Sequence, residues 1–134
     1  MRTRFAAVLT ILTLSALPAW SDEASDMPGS ELYRVFCASC HGPQAHGDGP
    51  VAQTLKPKVP DLTRIAARNG GTFPKERVRE TIDGQSLPRV HGTRAMPVWG
   101  WDFYAMNRQD PARRERVKEL IGRLVEYLES IQEK

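Results

Sequence analysis

At 134 residues, with 40% hydrophobic and 26% charged positions, the chain has the composition of a single globular domain and not of a disordered segment. Its formal charge is +3, and acids are interleaved with the arginines over most of its length. That pattern excludes a nucleic-acid binder, which would concentrate a large basic excess on one face.

Residues 1–21, MRTRFAAVLTILTLSALPAWS, open with Arg2 and Arg4, run apolar from Phe5 to Leu17 and reach small residues at Ala19 and Ser21. This is the three-part layout of a secretory signal, with cleavage expected after Ser21. The apolar run of about 13 residues falls short of the roughly 20 that a spanning helix needs, and no other stretch is long enough, so no membrane span is expected after cleavage. Removal of Arg2 and Arg4 leaves 17 Lys+Arg against 16 Asp+Glu, a nearly neutral mature chain. Residues 22–28 read as a flexible N-terminal segment and 29–134 as one domain.

Ser30 is placed to cap a first helix whose apolar side carries Leu32, Tyr33 and Phe36. That helix delivers CASCH, residues 37–41, which holds both cysteines of the chain. In an oxidising compartment two lone cysteines pair unless something consumes them. A thioredoxin-type CxxC needs a preceding strand, and none is evident; a structural zinc site needs a second ligand pair, whereas the chain offers only His41, His46 and His91. CxxCH with the histidine directly after the second cysteine is the attachment signature of haem c. There the thiols of Cys37 and Cys40 form thioethers with the vinyl groups, and His41 becomes the proximal iron ligand.

Gly42 to Pro60 is rich in Gly and Pro and reads as a loop bent around the cofactor; His46 lies too close to the motif to reach the opposite haem face and is expected at the surface. Asp61 is placed to cap a short helix over 62–68, and Pro74 opens a further helix with Phe73, Val78 and Ile82 on one side. Residues 84–97 show no helical period. Asp110-Pro111 supplies the start of a long last helix, with Val117, Leu120, Ile121, Leu124, Tyr127, Leu128 and Ile131 at spacings of three and four. The cluster Arg113, Arg114, Arg116 and Lys118 reads as its solvated face, and no segment suggests a sheet.

A proximal histidine leaves the sixth iron position open to Met, His or an exchangeable molecule. Met96, in the Pro- and Gly-bounded AMPVWG, is the leading candidate; His91 is its rival, and Met106 reads as a core filler. Arg89, Arg94 and Trp99 are candidate partners for the haem propionates.

GSELYRVFCASCHG, the following GDGP, the MPVWG stretch and the final helix together resemble the class I c-type cytochromes. The resemblance spans Gly29 to about Gln132, although Lys56 to Arg89 holds no diagnostic residue. It implies an all-α, cytochrome c-like fold of about four to five short helices around one covalent haem c. It further implies that Gly29 and Tyr33 pack against Leu124 and Tyr127, that Met96 is the sixth ligand, and that a proline carbonyl, Pro50 first and Pro43 behind it, orients His41.

The function expected is that of a periplasmic electron carrier, not an enzyme, monomeric or part of a redox complex. It would accept electrons from a donor dehydrogenase or membrane complex and pass them to an oxidase or reductase, through a small contact near the exposed haem edge. Two alternatives stay open: a haem subunit bound tightly to one periplasmic dehydrogenase, and, if the sixth position is open, a haem-based sensor or peroxidase.

Overall fold

The computed structural model describes residues 26–84, 96–109 and 111–133. Within them the elements are α1 (Gly29–Phe36), α2 (Ala38–His41), α3 (Ile65–Arg68), α4 (Lys75–Asp83), α5 (Trp99–Met106) and α6 (Arg113–Ser130), with 3₁₀ turns at Ala52–Thr54 and Leu62–Arg64. Among the described residues there is no strand, and no helix is long and apolar enough to cross a membrane. The expectation of four to five short helices is met by α1, α4, α5 and α6, with α2 and α3 as added single turns of four residues each. Residues 1–25, and with them the expected signal segment, lie outside the described residues.

The core forms because α6 buries Val117, Leu120, Ile121, Leu124, Val125 and Leu128 along one stripe, and α1, α4 and α5 all pack on it. Tyr127 and Ile131 of the expected stripe are only partly buried, while Val125 joins it. Val78 and Ile82 bring α4 into this core, with Phe73 packed beside them. Where α1 crosses α6, a Cβ on Gly29 would stand 2.9 Å from the Arg123 carbonyl carbon and 3.0 Å from Tyr127 Cβ, so only glycine lets the backbones meet. One turn on, the rings of Tyr33 and Tyr127 pack with centroids 5.3 Å apart.

Several local expectations shift. Pro28, not Ser30, precedes α1, because its carbonyl already accepts from the N–H groups of Glu31 and Leu32, both at 3.0 Å. Met27, assigned to the flexible segment, is held: its carbonyl accepts from Arg123 Nη1 at 2.6 Å and its side chain packs on the core. The last helix starts at Arg113, with Ala112 supplying the first accepting carbonyl and Pro111 in the turn before it; Asp110 lies outside the described residues. Helix α5 was not expected. Trp99 and Phe103 face inward and Trp101 and Met106 outward, with Asp102 as the one exposed charge, so it lacks the continuous polar face that marks a surface helix. Met106 is therefore no core filler: it is 44% exposed.

Asp61 does cap the turn at Leu62–Arg64, accepting from Thr63 Oγ1 at 2.6 Å and Thr63 N at 2.9 Å. These bonds, chiefly the hydroxyl, hold its carboxyl below the ordinary carboxylate range, with His46 Nδ1 3.7 Å from Oδ2 adding to the effect. A carboxyl lowered in the folded state stabilises fully above its unfolded pKa, and that contribution is lost as pH falls through the folded value. Asp61→Ala is expected to cost about 1 kcal/mol at neutral pH, a difference that shrinks in acid; urea unfolding of both holoproteins across the acid range measures it. Gly29→Ala is expected to cost ~1–3 kcal/mol by forcing α1 from α6, read as a lowered Tm by differential scanning calorimetry.

Candidate functional site

Helix α1 ends where the functional residues begin. Cys37 stays in the right-handed region with its φ stretched to −118°, and its carbonyl accepts from Cys40 N at 3.2 Å and His41 N at 2.9 Å, so the five residues form one closed turn. Cys37 and His41, four apart, share a face of that turn. Both are buried, while Cys40 is half-exposed, and the two sulfurs are not joined in a disulfide. Burial, reinforced by the neighbouring Cys40, pushes the Cys37 thiol up to about 12. The motif is held from behind by Tyr33, whose hydroxyl donates to the Gly42 carbonyl at 2.7 Å.

The loop after the motif folds back onto it. Gly47 N donates to His41 O at 2.8 Å, Gly49 N to Cys40 O at 3.1 Å and Val51 N to Ser39 O at 3.0 Å. A Cβ on Gly49 would lie 2.6 Å from the Cys40 carbonyl carbon and 2.7 Å from Ala38 O, which explains the glycine in GDGP. Further along, Leu62 N donates to Ala45 O at 2.7 Å and draws the end of the loop inward.

There Pro60 meets the histidine: its carbonyl oxygen lies 3.2 Å from His41 Nδ1. A carbonyl only accepts, so this contact puts the proton on Nδ1 and leaves the lone pair on Nε2. Burial holds the His41 pKa down and so favours a neutral imidazole, against the opposing pull of the Pro60 carbonyl. The expectation of Pro50 for this role is overturned, as is Pro43 behind it. Both are exposed at the outer side of the loop, whereas the chain between Gly49 and Leu62 is long enough to return and bring Pro60 to the ring.

Two cavities of ≈ 300 and ≈ 250 Å³ open beside the motif, and Cys37, His41, Pro60, Thr81 and Met96 line both, so they are lobes of one cleft. Leu62, Ile65, Val78, Ile82 and Leu128 wall the larger lobe. Phe36, Leu55, Pro57, Val59, Pro97 and Trp99 wall the smaller, which Cys40 also reaches. Trp99 is fixed there by edge contact with Phe36, centroids 5.6 Å apart, and by stacking with Phe103 at 6.3 Å. The structure thus brings Cys37, Cys40, His41, Met96 and Trp99 to one cleft and leaves Pro50 outside.

His91, Arg89 and Arg94 lie outside the described residues. The polar groups seen on the cleft are instead Arg68, Asn69 and Arg77 on the larger lobe and Lys58 on the smaller. Sequence reasoning missed these; the available signal was Arg68 three residues after the inward Ile65 and Arg77 next to the inward Val78. His46 is exposed, as expected. Among the described residues no group of three or more His, Cys, Asp or Glu side chains is placed to hold a metal ion by itself.

An apolar two-lobed cleft flanked by two thiols, one imidazole nitrogen and one thioether suits a large flat apolar group with an iron centre, and the cations on its walls suit that group's carboxylates. Comparison with curated proteins and with solved structures gives no match. A protein-family model, Cytochrome c, matches residues 27–132. The chain belongs to the cytochrome c family and binds one haem c covalently through Cys37 and Cys40.

Proposed function

We propose that the protein is a periplasmic single-haem electron carrier in which His41 and Met96 are the two axial ligands. It is exported under the signal of residues 1–21 and exchanges electrons with a donor dehydrogenase or membrane complex and an acceptor oxidase or reductase. The observation that carries this reading is that His41 and Met96 both line both lobes of the cleft that Cys37 borders.

Haem c would supply a one-electron iron couple there, and His41 and Met96, if both hold the iron, would leave no position for substrate. The chain's residues do the rest. The Pro60 carbonyl fixes the His41 ring and its tautomer, directing the Nε2 lone pair away from the loop. Pro97 follows Met96 directly and limits the backbone freedom of the segment that brings the thioether to the cleft. The apolar walls exclude water and favour the less charged, reduced state, so the midpoint potential is expected to be positive. No acid, base or nucleophile is used, in keeping with a carrier and not an enzyme.

The test is the far-red absorption of the oxidised, purified holoprotein, where sulfur ligation of ferric haem gives a weak band. The band is expected in the wild type and absent from Met96→Ala. The variant's midpoint potential should also fall by roughly one to a few tenths of a volt, within the ~0.8 V over which axial ligands tune haem. A wild type without the band would remove Met96 from the iron and turn the reading toward His91 ligation or a ligand-binding haem.

A further inference from the structure

A second depression, ≈ 420 Å³, lies at the corner between α5 and α6 and shares no residue with the haem cleft. It is lined by Trp101, Tyr104, Ala105, Arg108, Arg113 and Arg114, and none of these is acidic. Trp101 is 57% exposed, and Met106, on the same helix, also turns a large apolar side chain to solvent. The three guanidinium groups form no ion pair with a described carboxylate; that of Arg113 donates only to the Arg108 carbonyl, at 3.3 Å. The neighbouring charges on α6 behave differently: Arg116 pairs with Glu119 and Lys118 with Glu115.

We infer that this corner is a docking surface for a partner protein whose contact face carries carboxylates around an apolar centre. Tryptophan, tyrosine, arginine and methionine are the residue types that interfaces enrich and that carry most binding energy when desolvated. Here Trp101 and Tyr104 of α5, whose first residue Trp99 lines the haem cleft, meet Arg108 and the first turn of α6. The apolar area that Trp101 and Met106 still expose would be stabilising if buried against a partner. Three arginines not engaged by described acids select an acidic face, steer its approach and give the contact a strong salt dependence. Arg113 and Arg114 are exposed, as the solvated-face reading of the cluster expects, and the proposal adds a partner to that face.

The reduced holoprotein, labelled for amide NMR, would be titrated at low salt with a peptide of six glutamates around a central leucine pair, and with the matching lysine peptide as control. Expected are shifts clustered at 101–114, including the Trp101 indole N–H, with the acidic peptide alone. Its apparent affinity should fall at least tenfold in Arg113→Gln/Arg114→Gln, and fall also in Trp101→Ala, while the haem absorption stays unchanged. Shifts centred on Lys58 and Trp99 at the haem cleft, shifts scattered over all basic residues, or affinity unaltered in the variants would overturn the inference. So would a response of residues 101–114 to phosphatidylglycerol vesicles without one to the acidic peptide, which would assign the corner to a membrane surface.

Discussion

Where α1 crosses α6, the Arg123 carbonyl comes so close to Gly29 that no side chain fits between them, and this contact sets the position of the attachment motif. Helix α1 is only eight residues long, so its angle at the crossing fixes where its far end points, and its far end is Cys37. Tyr33 carries the constraint forward in two directions. Its ring rests on Tyr127 of α6, and its hydroxyl ties the Gly42 carbonyl just beyond His41. That hydroxyl is buried and keeps its proton well above the ordinary tyrosine range, chiefly by desolvation, so it acts as a permanent donor.

The histidine side of the cleft is built by a loop with little regular structure, and its precision comes from backbone hydrogen bonds. The successive contacts of Gly47, Gly49 and Val51 with the carbonyls of His41, Cys40 and Ser39 sew the loop to the motif it follows. Ala45 occupies the left-handed region, φ 67°, with its methyl fully buried. That conformation costs an alanine ~1–2 kcal/mol, and it persists because the buried methyl and the Leu62 N–H bond to its carbonyl hold it in place. The same bond draws in the segment that carries Pro60, so strain at one residue is coupled to the orientation of the imidazole.

The parts legible in the sequence are those whose physics is local or periodic. CASCH announces its chemistry because thioether attachment and axial ligation need those atoms within one turn, and α6 announces itself by an apolar stripe. Gly29, Tyr33, Leu124 and Tyr127 were legible through the family resemblance, since their spacing alone does not say that two helices meet. Pro60 was not legible: four prolines lie between Gly42 and Asp61, and which carbonyl reaches His41 depends on the path of the whole loop. Arg68 and Arg77 were hidden for the same reason, as their approach to the cleft depends on how α3 and α4 are placed. Helix α5 failed in the opposite way, because its outward Trp101 and Met106 erased the amphipathic pattern by which a helix is read.

That failure is informative about how the two sides of the haem are joined. Phe36 immediately precedes Cys37, and Trp99 follows Met96 by three residues. Their rings touch edge to face, and Phe103 closes the cluster with a centroid 5.2 Å from Phe36. The segment bearing the proposed sixth ligand is therefore anchored to the same short helix that presents the cysteines and His41. A displacement of one side strains packed aromatic rings on the other, and packed interiors resist such strain. A redox centre that must gain and lose an electron without rearranging its ligands requires this kind of coupling. Three aromatic residues on α1 and α5, Phe36, Trp99 and Phe103, supply that coupling between the His41 and Met96 segments.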